Sequence, residues 1–379
     1  MLALRPDPVN GFRQVVGVGG IGSGIVFALE GQQTLGRNES RLGKLIDARD
    51  YCKLHIVEHY IARLMDAGSN EFAVIPIGVI GEDSVGRQLR AEMKEAGLDT
   101  RFVRTDPRAK TLFSVCFVYP DGAGGNITTS NSAASLVARR DLQVARKRME
   151  EAGTRGIALC LPEVPLDVRS EFLEIARDCG NFTAGAFASS EIALAREKNL
   201  FASLDLLALN TDEVATLVGY PFDRGSVDRF LNDCANTLTA AQPQIRIALT
   251  AGEQGAYGFE NGKWQFCQAP AVPVASTAGA GDALLAGILS GLSAGLPFLS
   301  AGNVSAASRA GSLPAALELG VLTASFSVTS PHTIHPEASV SAILLFAEIH
   351  GMAKFRKVLA MCHEISPDLA STRQGSKHA

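Results

Sequence analysis

The chain has 379 residues, enough for one large or two modest domains around a sizeable core; it is 46% hydrophobic and 20% charged, with a formal net charge of −4. With few aromatics and no basic stripe among them, nucleic acid is not an expected partner. The seven cysteines, an odd number with no CxxC pair, argue against disulfides and a zinc site and fit a reducing cytoplasm. The amino-terminal stretch MLALRPDPVNGF lacks a signal-peptide core, and apolar runs such as AILLFA (342–347) fall far short of the roughly 18 residues that span a membrane. The expectation is a soluble cytoplasmic protein without a membrane partner.

In chain order, QVVGVG (14–19) reads as a strand, followed by a polar, Gly-punctuated stretch at 30–44. Ile56, Ile61 and Leu64 near helical spacing predict a helix over 55–68, stopped by Gly68. FAVIPIGVIG (72–81) reads as a buried strand and 84–97 as an amphipathic helix. Strand-like residues 111–120 lead into DGAGGNITTSNSAAS (121–135), which reads as a loop. Strands at 156–161, 204–210 and 245–252 then alternate with helices at 168–180 and 212–219. A Gly-rich loop and a helix follow, and residues 352–379 read as a helix with a frayed tail. This alternation predicts a mostly parallel sheet covered by helices on both faces, with ligands at the carboxyl ends of its strands.

Two glycine motifs stand out. GVGGIG (17–22) fits GxGxxG after a strand, but a dinucleotide site also needs an immediate helix and an acid ending a second strand about 20 residues on. Neither is in view, so close backbone packing or ligand approach is the better reading of these glycines. STAGAGDALLAG (276–287) builds an anion cradle at a helix start, yet closes on Asp282 where a phosphate loop would carry Lys. A lone Asp there reads as a helix cap. Phosphoryl transfer accounts for both halves: backbone donors hold the transferring group while a carboxylate takes the acceptor's proton.

ASTAGAGDALLA (275–286) resembles the carboxyl-terminal signature of the PfkB (ribokinase-like) carbohydrate kinase family, DTxGAGDxF, at Thr277, Gly279, Ala280, Gly281 and Asp282. NTDEVATLVG (210–219), LTAGEQGAYGF (249–259), PIGVIGEDSVGRQLRAEMKEAGLDT (76–100) and GNVSAASRAGSL (302–313) resemble further family segments in order. The resemblance covers roughly residues 12–330 and is stronger in the carboxyl-terminal half. It implies a ribokinase-like α/β fold, a large mostly parallel sheet sandwiched by helices with a small β lid. The kinase domain would span 1–351, with lid segments at approximately 20–50 and 105–130, followed by the tail at 352–379. Asp282 would be the general base, with Gly279 and the backbone of Ala280, Gly281 and Asp282 forming the anion hole. Asn210 and Glu213 would organise Mg²⁺ (Glu213 indirectly) and the phosphates of ATP, although N-x-x-E is also the pattern of a helix capping box. Thr250, Gly252, Gly255, Thr277 and Asn303 would line the nucleotide pocket. A homodimer through the lid follows by analogy.

The amino-terminal half departs from the pattern. GGIGSGIVF lacks the acid that members carry after the first strand, and DYCKLHIVEHYIARLM (50–65) lacks the family's GGxxxN. In their place stand Arg37, Arg41, Lys44, Asp50, Lys53, His55 and His59. They read either as a solvated charged surface or as cations, Arg37 and Lys53 first, that hold an anionic acceptor. Asn126, Thr128 and Asn131 are further acceptor-contact candidates, or simply parts of a lid turn. The two histidines of SPHTIHP (330–336) read as loop residues rather than metal ligands. Ser276 stands where the family has an Asp near a monovalent-cation site, which puts such a cation in doubt. The expected activity is ATP-dependent phosphorylation of a hydroxyl of a sugar or sugar-derived metabolite. The alternatives are a nucleoside kinase of the same fold and a non-catalytic nucleotide- or sugar-binding regulatory protein.

Overall fold

Where the sequence runs apolar without a break, as in residues 74–81, the strand is buried on both faces. A sheet covered on both sides requires this. The structure, a computed structural model, describes residues 2–31, 34–68, 71–120, 124–300 and 314–364. Its elements are β1 (Leu2–Leu4), β2 (Gln14–Val18), β3 (Gly22–Leu29), β4 (Gly43–Tyr51), α1 (Lys53–Met65), β5 (Ala73–Gly81), α2 (Ser84–Glu95), β6 (Val103–Asp106), β7 (Leu112–Val118), β8 (Gly124–Thr128), α3 (Arg139–Ala152), β9 (Gly156–Cys160), α4 (Leu166–Asp178), β10 (Phe182–Ala186), α5 (Ile192–Glu197), β11 (Leu206–Asn210), α6 (Thr211–Val218), α7 (Val227–Ala241), β12 (Arg246–Thr250), β13 (Gly255–Glu260), β14 (Lys263–Gln268), α8 (Ala280–Ser293), α9 (Ala316–Ser327), α10 (Val340–Ile349) and β15 (Cys362–Glu364).

Nine strands form one sheet in the order β14-β13-β12-β11-β10-β9-β2-β5-β6. It is parallel from β12 to β6 and ends in the antiparallel β12–β13–β14 meander. One apolar core packs α1, α2 and α8–α10 on one face; the other packs α3–α7 on the opposite face. No helix among the described residues is long and apolar enough to cross a membrane.

A second sheet, β4-β3-β7-β8, stands over the carboxyl ends of the first. Its centre is a parallel β3–β7 pair, flanked by antiparallel β4 and β8. Two expectations change here. Residues 121–135 are not wholly loop: β8 lies within them, followed by a 3-10 turn at Ala133–Leu136. Both edge strands are largely exposed, so neither β8 nor β4 carries the apolar alternation that marks a half-buried strand. In the tail, a 3-10 helix at Ala353–Met361 leads into β15, which pairs antiparallel with β1. Residues 365–379 lie outside the described ones.

Candidate active site

The carboxyl ends of β11 and β12 are side by side, with Asn210 and Thr250 paired in register. Asn210 caps α6: its Oδ1 accepts from Glu213 N–H at 2.8 Å, and Glu213 Oε2 accepts from Asn210 N–H at 2.9 Å. The capping box is therefore formed, and it uses only one carboxylate oxygen. Glu213 is buried, and burial raises its pKa to about 6 against the nearby Lys53 charge. Gly252 and Gly255 flank a short 3-10 turn directly beyond Thr250. Asn303 lies outside the described residues.

Gly279, at φ +79°, turns the chain into α8, and a Cβ there would meet Thr333 O at 2.9 Å, so both conformation and space call for glycine. Thr277 O accepts from Ala280 N–H at 3.3 Å. The N–H groups of Gly281 and Asp282 have no acceptor among the described residues, as befits a helix's first turn. Asp282 is buried, and its Oδ1 lies 3.4 Å from Lys53 Nζ at the start of α1. Burial raises the Asp282 pKa and the Lys53 charge opposes this, while Asp50 adds to the rise. Lys53 is in turn held protonated chiefly by Asp282, with Glu213 and Glu163 adding to the effect.

Sequence reasoning passed over Glu163. It follows β9 with a φ of +75°. Gly20, from GVGGIG, lies directly against it: a Cβ on Gly20 would come 2.5 Å from Glu163 Cβ. That motif is followed by strand β3, not a helix, so its glycines serve packing rather than a dinucleotide. Burial raises the Glu163 pKa to about 7, against the pull of Lys53, and its Oε2 is buried without a hydrogen-bond partner. The available signal was its position just past a strand's carboxyl end.

An acid stands beside β3 on the neighbouring strand β4. Gly24 pairs with Asp50 across β3 and β4, and a Cβ on Gly24 would lie 2.4 Å from Asp50 Oδ2. Asp50 is buried and accepts from Ser114 Oγ at 2.9 Å and Cys116 Sγ at 3.3 Å.

Lys53 and Glu163 line a cleft of about 600 Å³ with Asn126, Thr128, Ser130 and Glu191. Glu191 is already engaged by the buried Arg169 at 2.8 Å and by Ala188 N–H at 2.9 Å. Asn126 and Thr128 bond each other at 3.1 Å. Asn131 is exposed and does not line the cleft. Arg37 is exposed in the β3–β4 connection and does not line it either. Arg41 pairs with Glu39, and Lys44 is exposed on β4. Of the charged group read from the sequence, Lys53 pairs with Asp282 and Asp50 lies near enough to raise its pKa, whereas Arg37, Arg41 and Lys44 do not line the cleft.

Among the described residues no group of three or more His, Cys, Asp or Glu could hold a metal ion alone. A Mg²⁺ ion held mainly through substrate phosphates and water would need one carboxylate, which the buried Glu213 could provide. When bound, the ion would neutralise phosphate charge. Ser276 Oγ accepts from Ala278 N–H at 3.2 Å and offers no charge to a monovalent cation. Exchanging K⁺ for Na⁺ at constant ionic strength is therefore expected to change turnover less than about twofold; strong K⁺ activation would refute this.

The helix-sandwiched sheet, the small lid and the charged groups under it define a ribokinase-like protein. The pfkB family carbohydrate kinase model matches residues 59–339, and the chain belongs to that family. The match begins inside α1, part-way through the 50–65 segment that lacks the Gly pair. No curated protein matches the sequence. Among solved structures, ribokinase from Giardia lamblia is similar at TM-score 0.66 and 13% identity, covering 84% of this chain and 94% of its own. Aminoimidazole riboside kinase from Salmonella enterica, complexed with aminoimidazole riboside and an ATP analog, gives 0.62 and 18%, covering 88% and 99%. The Burkholderia thailandensis nucleoside kinase in complex with inosine gives 0.62 and 15%, covering 89% and 98%.

Proposed function

We propose that the protein transfers the γ-phosphoryl group of ATP to a hydroxyl of a neutral, polyhydroxylated sugar or sugar-derived metabolite. The observation that carries this reading is the buried Asp282 at the first turn of α8, paired with the partly exposed Lys53. Asp282 accepts the hydroxyl proton, the freed oxygen attacks the γ-phosphorus, and ADP departs with the electrons of the broken P–O bond. The first-turn N–H groups and Lys53 meet the charge on the transferring group. Gly279, Ala280 and Gly281 shape that turn. Asn210, Glu213, Thr250, Gly252, Gly255, Thr277 and Asn303 serve the nucleotide side, with Mg²⁺ beside Glu213.

On the acceptor side, Lys53 is the only cation among the described residues that line the cleft, and it is committed to Asp282 and the transferring group, which disfavours an anionic acceptor. The Ser, Thr and Asn groups of the 126–135 segment and the unpartnered Glu163 Oε2 suit hydroxyl groups instead. The test is ADP release with neutral sugars, phosphosugars, sugar acids and nucleosides. Turnover with neutral sugars is expected; turnover confined to anionic compounds would refute the neutral acceptor, and none with any compound would favour a regulatory binding protein. Exclusive turnover of nucleosides would favour the nucleoside kinase.

Glu163 accepts hydroxyl donors more strongly as a carboxylate, and burial raises its pKa to about 7. Acceptor KM is therefore expected to rise as pH falls from 8 to 6. Glu163→Gln should raise KM by about tenfold and remove most of that slope, the scale of one charged hydrogen bond. An unchanged KM would take Glu163 out of the site. Exposed Leu42, Leu45 and Ile127 make the lid face the surface for a homodimer, which a monomer in sedimentation would exclude.

A further inference from the structure

Arg169, in the first turn of α4, is wholly buried. Its guanidinium uses all three nitrogens. Nη1 donates to Glu191 Oε2 at 2.8 Å, Nη2 to Ala186 O at 2.6 Å and Nε to Cys160 Sγ at 3.4 Å. Its central carbon also lies 4.3 Å from the centre of the Phe187 ring. Taking a guanidinium out of water is costly, and apolar side chains of similar volume often hold a core as well or better. A charge buried so completely is therefore a weak source of stability, and its partners show what it does instead.

Those partners belong to the two strand ends that carry the cleft's acids. Cys160 closes β9 shortly before Glu163, and Ala186 closes β10 shortly before Glu191. The strands are neighbours, with Cys160 paired to Gly185. Arg169 N–H also donates to Pro165 O at 3.1 Å, and Pro165 lines the cleft with Glu163. One side chain thus ties both loops of this wall together. Glu191 ends the 3-10 turn Ser189–Glu191 and closes it by accepting Ala188 N–H at 2.9 Å. Both of its hydrogen bonds fall on Oε2, and Oε1 accepts none from the described residues. The turn and Arg169 ask for one oxygen only. The second is left to the cleft, which this partly exposed side chain lines.

We propose that Glu191 is a specificity-determining residue for the acceptor, its Oε1 taking a hydroxyl other than the one phosphorylated, and that Arg169 is the positioning residue that aims it. This role rests on phosphoryl transfer to a hydroxyl at Asp282. Held on one oxygen by two donors, the Glu191 carboxylate cannot rotate without breaking both bonds, so Oε1 keeps its place relative to Glu163 on the adjacent strand end. Two fixed carboxylates select an acceptor with free hydroxyls beside the reacting one. They discriminate against its deoxy analogue, because a carboxylate oxygen covered by the bound sugar would then lack a donor.

The test measures ADP release with D-ribose, D-fructose, D-glucose and their monodeoxy derivatives. For the sugar with the highest kcat/KM, Glu191→Gln is expected to raise KM at least about tenfold while kcat and the KM for ATP move less than about threefold. One monodeoxy derivative should lose as much with the wild type and nothing more with Glu191→Gln. Arg169→Met should raise the acceptor KM to a similar extent, and the double variant no further, since both changes remove the same contact. Melting curves establish that the variants fold; Arg169→Lys, which keeps the charge without the planar fork, takes the place of an Arg169→Met chain that does not. An acceptor KM unchanged in Glu191→Gln overturns the specificity role, and so does an added loss with every deoxy derivative. If the loss from the Arg169 variant adds to that of Glu191→Gln, or falls equally on ATP, Arg169 is a structural residue only. If none of these sugars yields ADP, the transfer reading fails for them, and saturation-transfer NMR with the same sugars decides on Glu191. Binding weakened in Glu191→Gln supports its contact, and equal binding or none overturns it.

Discussion

Asp282→Asn is expected to lower turnover by about 10²–10⁴-fold while nucleotide affinity stays within a few-fold, the scale of a lost general base. The substitution keeps the size of a side chain buried at the first turn of α8, so the turn and its N–H groups persist. What it removes is proton affinity: a carboxamide cannot take the acceptor's proton at any working pH. The measurements are steady-state ADP release and nucleotide titration of the same preparation. A variant of near-normal rate would take Asp282 out of the mechanism, and lost nucleotide binding would reassign it to the turn's architecture.

The second large effect is expected for Lys53→Met, a loss in kcat of about 10²–10³-fold, the range for removing one donor to developing charge. A pH profile separates this role from a structural one. Burial pushes the Asp282 pKa up and Lys53 pulls it down. Without Lys53 the pKa rises further, so the base stays protonated to higher pH and the acid limb of kcat/KM moves upward. Met retains much of the aliphatic stem, so packing is largely preserved. If kcat falls but the acid limb stays, Lys53 acts on the phosphoryl group alone. If neither moves, the pair is incidental.

The two halves of the candidate site differed in how far they could be read from sequence. Asp282 and the residues shaping its turn are neighbours in the chain, and so are Asn210 and Glu213, so their geometry follows from one helix start each. The acceptor side is assembled from distant pieces. Lys53 opens α1, Glu163 follows β9, and Asp50 on β4 lies against Gly24 on β3, so no local spacing announces them. The same holds for the fold. Helices 55–68 and 84–97 were legible because one face of each is apolar, and they appear as Lys53–Met65 and Ser84–Glu95. β8 has no strand signal in the sequence because Gly124–Thr128 is an exposed edge whose pairing with β7, not its own pattern, makes it a strand.

The Gly24–Asp50 arrangement has a consequence for inheritance and engineering. The space that one strand's side chain would occupy is filled by its neighbour's, so the two positions cannot both carry a bulky acid. They are one locus written in two places. Placing an acid at position 24 alone would force it against the Asp50 carboxylate and Ser114 Oγ, whereas placing it there together with Asp50→Gly restores the volume. Any substitution that adds a side chain at position 24 therefore has to be paired with one that shortens position 50.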